Sequence, residues 1–254
     1  MTEDIFSLKG RAALVVGGTR GIGRAISLRL AHAGAKVLAN FVRDAPAAEA
    51  LVRDAQAAGL DIQVCRADVV SPKGLDTLSE EVARSLGAPS ILIFAAATGV
   101  HKPLPELTGR HFDWTFNLNV RAFFELVRRF SDGMPSGSSI VALSSQGAVH
   151  AMEQYTMVGA SKGALESMAR HVAAELAPRG IRVNILSPGT VVTDAWQAMP
   201  DAERRLAEFT HRTPIKRLVT LEEVGAAAQF LCSDAASGMV GHTLVVDGGA
   251  RIVG

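Results

Sequence analysis

The run Gly17-Gly18-Thr19-Arg20-Gly21-Ile22-Gly23 joins a short aliphatic segment, Ala12–Val16, to a stretch of helical periodicity. Glycines in such a connection permit a tight turn and close approach of the backbone to a pyrophosphate, whose charge the following helix N-terminus favours. The spacing is Gly-x-x-x-Gly-x-Gly, not the Gly-x-Gly-x-x-Gly dinucleotide fingerprint. The end of the second candidate strand reads Asn40-Phe41-Val42-Arg43 and holds no acid to accept hydrogen bonds from a ribose 2′-hydroxyl. Arg43, with Arg20 in the glycine loop, suits a 2′-phosphate through charge-assisted hydrogen bonds, so NADPH is the expected cofactor.

The chain resembles the short-chain dehydrogenase/reductase family from about Leu8 to Asp247-Gly248-Gly249. The resemblance implies a phosphate loop made by Gly17, Thr19, Arg20, Gly21, Ile22 and Gly23. Phe41 stands where NAD-preferring relatives usually carry Asp, and Asp68-Val69 matches the adenine contact. Pro188-Gly189-Thr190-Val191-Val192-Thr193 matches the nicotinamide-side loop, in which Val191 and Thr193 contact the carboxamide. Two departures stand out. Phe94-Ala95-Ala96-Ala97 replaces the usual Asn-Asn-Ala-Gly, leaving Ala95 and Ala96 to pass the cofactor without bracing amides, and Val16 replaces a threonine.

A reductase of this family needs a proton donor and a cation that lowers the donor's pKa and holds the nicotinamide ribose. The resemblance assigns the cation to Lys162. In the usual Tyr-x-x-x-Lys arrangement the donor would be residue 158, which here is valine. The only tyrosine is Tyr155, giving the Tyr-x6-Lys spacing that resembles the enoyl-thioester reductase branch. In carbonyl reduction, hydride and proton reach the two atoms of one C=O bond. In 2-enoyl thioester reduction, hydride attacks C3 and negative charge develops on the thioester oxygen, two carbons further along. The donor must therefore stand further off. A seven-residue step is close to two helical turns, so Tyr155 is expected on the same face as Lys162, one turn beyond position 158.

Ser145 matches the serine that hydrogen-bonds substrate in ordinary members, although either Ser144 or Ser145 can serve strand-end backbone groups instead. Asn119 matches the asparagine that holds a helix open around a lysine-linked water. The stretches His111–Thr115, Glu153–Gly159 and Thr193–Ala195 are most similar to the NADPH-dependent enoyl-acyl-carrier-protein reductase III group. The implied reaction is reduction of a trans-2-enoyl thioester, carried by CoA or an acyl carrier protein, in fatty-acid or polyketide assembly. Asn119 keeps open a 3-oxoacyl-thioester or other carbonyl reductase, and Val158 with the altered Phe94–Ala97 turn keeps open an NADPH-sensing binding protein without turnover. The family resemblance also implies a homotetramer. Arg110, Arg128, Arg129, Arg204 and Arg205 form a candidate basic rim for a carrier protein or, equally, an ordinary solvated surface.

An α/β fold must position these groups. Aliphatic runs at Ala12–Val16, Lys36–Phe41, Ile62–Ala67, Ser90–Ala95, Ser139–Ser144, Arg182–Ser187 and Thr243–Val246 alternate with helical stretches near Gly21–Ala33, Ala45–Ala58, Pro72–Leu86, Arg110–Ser131, Gln154–Ala177 and Leu221–Cys232. This cadence predicts one Rossmann-type domain over residues 1–254, a doubly wound parallel sheet with helices on both faces. The irregular stretch 190–217, with Trp196, Met199, Pro200 and Phe209, is expected to form a substrate lid or a short surface helix. The chain has 254 residues, 48% of them apolar, enough to bury roughly three quarters of the unfolded surface. Its 26 basic and 25 acidic residues give no bulk field for nucleic acid or anionic membrane. Cys65 and Cys232 are isolated, so neither a metal site nor a disulfide is expected. Without an apolar leader or an 18-residue apolar run, the protein is expected to be soluble, unprocessed and cytoplasmic.

Overall fold

Seven aliphatic runs pair into one parallel sheet in the order β3-β2-β1-β4-β5-β6-β7. The strands are β1 Ala12–Val16, β2 Lys36–Phe41, β3 Ile62–Arg66, β4 Ile91–Phe94, β5 Ser139–Leu143, β6 Arg182–Pro188 and β7 Thr243–Val246. The computed structural model describes residues 4–193 and 201–253. Alternate side chains of each strand feed two cores, one on each face, because a parallel sheet covered on both sides keeps neither face in water. On one face Leu14, Val16, Leu38, Leu92, Phe94 and Ile140 pack together. On the other are Ala13, Val15, Val37, Ile93, Val141 and Leu186.

Helices α1 Gly21–His32, α2 Ala45–Ala57 and α8 Leu221–Cys232 cover the second face through residues such as Ile26, Leu30, Leu51, Val224 and Leu231. The first face is covered by α3 Pro72–Ser85, α5 Ala122–Phe130 and α6 Thr156–Leu176 through Leu78, Phe123, Leu126 and Leu165. Local chemistry starts several of these helices. Asp44 caps α2, Ser71 caps α3 ahead of Pro72, and Thr220 forms a capping box with Glu223 at α8. At α1, by contrast, Arg20 makes no side-chain cap, so the first-turn N–H groups keep no such partner.

The expected single-domain fold is present, and three local differences bear on function. The helix expected over 110–131 is α4 Gly109–Phe116, a π-helical turn at Asn117–Arg121, and then α5. The helix expected from Gln154 starts at Thr156, which leaves Tyr155 at its N-cap. The stretch 190–217 contains α7, Ala202–Arg212. Trp196, Met199 and Pro200 of the expected lid, and Asp194 and Ala195 of the stretch similar to the enoyl reductase III group, lie outside the described residues. Among the described residues no group of three or more His, Cys, Asp or Glu could hold a metal ion, and no helix is long and apolar enough to cross a membrane.

Candidate active site

A sheet with β1 and β4 adjacent has its crossover reversal there, and crevices form outside the carboxyl ends of the strands at that point. A cavity of about 730 Å³ opens there, bounded by Ile22, the loop after β4, Ser144–Gln146 after β5 and Pro188–Val191 after β6. A wider cavity of about 840 Å³ between α1, α7 and α8 contains none of Tyr155, Lys162 or Ser145. The smaller cavity is therefore the candidate site.

The glycine loop reaches this cavity through Ile22. Gly17 has φ +76°, and a Cβ there would stand 2.8 Å from the Ala96 nitrogen and 3.2 Å from the Ala95 carbonyl carbon. The loop and the turn after β4 touch backbone to backbone, which explains why alanines suffice at 95–97. A Cβ on Gly23 would collide with the Gly17 carbonyl oxygen. Thr19 and Gly23 are buried, whereas Arg20 is exposed. Thr193 of the loop after β6 approaches the position of a Gly21 Cβ to 3.5 Å, so both ends of a dinucleotide cradle converge. Gly189 packs on Asp247, and Val191 bridges to Val219. This uncapped helix start, with glycines that a Cβ would block, fits a nicotinamide dinucleotide.

Phe41 is half-buried, Arg43 and Asp68 are exposed, and Val69 is buried. Asn40, fully buried, ties β2 to β3 by donating to the Ala67 carbonyl at 2.9 Å. Arg66, opposite Phe41 in the strand register, donates from Nε to the Val42 carbonyl at 3.0 Å. It thereby joins Arg43 at the edge beyond the carboxyl ends of β2 and β3. The one-dimensional reading passed over Arg66 because only strand pairing brings it there.

Tyr155 is the residue just before α6, and its carbonyl accepts from Gly159 N at 2.7 Å to close the first turn. Gln154, at φ +55°, turns the chain so that the ring enters the cavity. The Tyr155 hydroxyl donates to Ser145 Oγ at 3.2 Å, and burial raises its pKa above the usual phenol value, partly offset by that hydrogen bond. It thus stays a protonated donor at neutral pH. Ser145 Oγ also accepts from Gly147 N. Ser144 points elsewhere, donating to Glu166 Oε1 at 2.6 Å, so of the two serines only Ser145 joins the tyrosine.

Lys162 is buried and donates to the Leu143 carbonyl at 2.6 Å. Burial pulls its pKa down to about 8, with Glu166, one turn further along α6, acting in the opposite direction. Glu166 was not singled out from sequence, although its i,i+4 spacing from Lys162 is the signal that could have marked it. Asn119 sits fully buried in the π-helical turn. Its Oδ1 accepts from Thr98 N at 2.9 Å, and its Nδ2 donates to Thr98 O at 2.8 Å and to Ser161 Oγ at 2.9 Å. The asparagine therefore clamps the loop after β4 to α6.

Val158 is buried and presses its Cγ2 onto the Gly99 backbone, where a Cβ would collide with it. Position 158 thus serves packing, and the tyrosine has moved to the helix start. The far wall is α7, contributing Arg204, Arg205, Phe209 and Arg212.

A family model described as Enoyl-(Acyl carrier protein) reductase matches residues 16–251. The chain is 35% identical over 245 residues to 1-cyclohexenylcarbonyl-CoA reductase of Streptomyces collinus, covering 96% of this chain and 88% of that protein. It is 33% identical over 251 residues to 7alpha-hydroxysteroid dehydrogenase of Escherichia coli K12, covering 97% and 96%. Among solved structures, L-sorbose reductase from Gluconobacter frateurii, complexed with NADPH and L-sorbose, matches with TM-score 0.91 at 28% identity over 98% of this chain and 99% of that one. With its glycine cradle, buried lysine and cavity-facing tyrosine at the carboxyl ends of the strands, the chain is an oxidoreductase that belongs to the short-chain dehydrogenase/reductase family.

Proposed function

We propose that the protein reduces the C2=C3 double bond of a trans-2-enoyl thioester with NADPH. The observation that carries this reading is the pair of positions 155 and 158. The only phenol stands at the α6 N-cap with its hydroxyl on Ser145, and the position nearer the lysine is a valine packed on Gly99. Bound nicotinamide supplies the hydride that C3 takes up. Negative charge then develops on the thioester oxygen, and a protonated Tyr155 hydroxyl donates to it as in an oxyanion hole. Ser145 aims that hydroxyl in the resting site. Lys162 holds the nicotinamide ribose and supplies positive potential, while the glycine loop with Arg20, Arg43 and Arg66 takes the phosphates. The similarity to a cyclohexenylcarbonyl-CoA reductase and the match to an enoyl reductase family model support the same reading.

Helix α7 serves in this proposal as the substrate-side wall of the cavity. The acyl group arrives on CoA or an acyl carrier protein, for which Arg204 and Arg205 at the cavity form the basic rim. Arg128 and Arg129 do not line the cavity and pair with Glu125 and Asp76, while Arg204 pairs with Asp201 at 3.6 Å. A homotetramer would cover the exposed Phe112, Trp114 and Phe124.

A second reading, carbonyl reduction, is favoured by the Tyr155–Ser145 hydrogen bond and by the similarity to hydroxysteroid and sorbose oxidoreductases. NADPH oxidation with crotonyl-CoA and with acetoacetyl-CoA, beside Tyr155→Phe, separates the two. Enoyl turnover that collapses in the variant is the expected result. Turnover of the keto substrate alone would overturn the enoyl reading.

A further inference from the structure

If Tyr155 answers to the thioester oxygen, it is committed to an atom two bonds from C2, and the reaction still requires a proton at C2. Of the other proton-bearing side chains that line the cavity, among them Lys162, Glu153 and Glu208, His101 is packed against the Tyr155 ring. His101, in the loop after β4, sets its imidazole against the Tyr155 ring, edge to face, with centroids 5.3 Å apart, and lines the same cavity. From the position of the phenol, this is the neighbouring place along a conjugated substrate.

Three contacts hold His101 there. Asn119 takes both backbone groups of Thr98 in a two-point clamp. Gly99 rests on Val158 so closely that a Cβ would not fit. The Tyr155 ring then meets the imidazole itself. The loop is thus seated on the two positions, 155 and 158, that set this site apart from a Tyr-x-x-x-Lys arrangement. The imidazole remains exposed on its other side, which gives it a route to bulk solvent for proton recovery. Partial burial, and then the positive charge of Arg205 on α7, lower its pKa below the usual histidine value. The neutral imidazole therefore predominates at pH 7, and the donor form is the imidazolium made by proton uptake from solvent, a stronger acid than a free imidazolium.

We propose that His101 is a catalytic residue that protonates C2 of the substrate. Once hydride has reached C3, the electron pair of the enolate is shared between the oxygen and C2. The imidazolium N–H bond breaks, the C2–H bond forms from the enolate pair, and the thioester C=O is restored. His101, left neutral, regains its proton from solvent. A fixed donor on one side of C2 delivers the proton to one face only.

This inference rests on the enoyl-thioester reading, and the test separates the two. Wild type and His101→Gln would each reduce crotonyl-CoA in deuterated water, with NADPH binding by fluorescence as the check on folding. The handedness of deuterium at C2 of the butyryl-CoA product is the readout. Wild type should give one C2 epimer, and His101→Gln a mixture of epimers with turnover reduced by about a hundredfold. A variant that still yields a single epimer, or a wild-type product already mixed at C2, would overturn the role of His101 while leaving the enoyl reading intact. No wild-type crotonyl-CoA turnover would overturn both.

Discussion

The Tyr155 ring fills the space that Gly147 leaves by having no side chain: a Cβ on Gly147 would overlap the Cδ1 and Cε1 atoms of the ring. The same glycine donates its N–H to Ser145 Oγ, the acceptor of the Tyr155 hydroxyl, so one residue sets both the place of the phenol and the orientation of its partner. Gly147→Ala should displace the phenol and lower kcat by about tenfold or more, since misplacing a reacting group by an ångström costs up to about a hundredfold. NADPH affinity should be unchanged. Steady-state kinetics and a cofactor titration check this, and a wild-type kcat in the variant would refute the steric coupling.

Gly99 and Val158 form the second such pair. Adding a methyl group in Gly99→Ala should destabilise the fold by about 1–3 kcal/mol through overpacking. Gly99→Ala combined with Val158→Ala should recover part of that loss, because the smaller partner vacates the space. Thermal melts of these two variants and of Val158→Ala alone decide it, and an additive loss in the double variant would speak against direct contact.

Ser144 and Ser145 are adjacent but serve different partners. Ser145→Ala removes the acceptor of the Tyr155 hydroxyl and should lower turnover with little change in melting temperature. Ser144→Ala leaves Glu166 without a short buried hydrogen bond and should cost about 1–3 kcal/mol of stability, its effect on turnover being the smaller of the two. Equal kinetic losses in both variants would contradict this division.

Lys162 should make stability depend on pH in the cofactor-free protein. Its pKa is about 8 in the folded chain against 10.5 for a fully solvated lysine. Between those values the unfolded state binds more protons than the folded one, so stability rises with pH across that window. Below about pH 8 the fold bears the full cost of the buried ammonium. Lys162→Met should therefore raise stability at pH 7 by on the order of 2 kcal/mol after loss of the Leu143 hydrogen bond, while abolishing activity. The gain should shrink as pH approaches 10.5. A variant that melts below wild type at pH 7 would show that the ammonium is stabilising.

Arg43 and Arg66 share the edge beyond β2 and β3. Arg43→Ala should reduce kcat/KM for NADPH by about tenfold or more and leave NADH almost unaffected, as loss of a charge-assisted hydrogen bond costs about 1.5–3 kcal/mol. Adding Arg66→Ala should erode the preference further. Parallel kinetics with both cofactors test this, and equal losses with NADH would point to a general structural defect.

The strands, the glycine loop and the Tyr155–Lys162 spacing were determined by the sequence alone, because each is a local pattern. Alternation in β1 sends Leu14 and Val16 to one core and Ala13 and Val15 to the other, and a glycine run before a helical period marks the α1 start. The lack of an acid in Asn40–Arg43 at the end of β2 and the valine at 158 were equally plain. What local pattern could not supply were contacts between distant segments. Tyr155 looked like a first-turn residue of α6, yet Gln154 at φ +55° places it outside the helix. Glu166 lies four residues from Lys162, but only the β5-β6-β7 order brings Ser144 and Thr243 to its carboxylate. Gly99, Gly147, His101 and Arg66 meet their partners across 59, 8, 54 and 24 residues of chain, as the pairs with Val158, Tyr155, Tyr155 and Val42 show. No periodicity encodes such meetings. They are decided when hydrophobic burial stacks the sheet and helices, since that packing fixes which loops share the crevice at the ends of the strands.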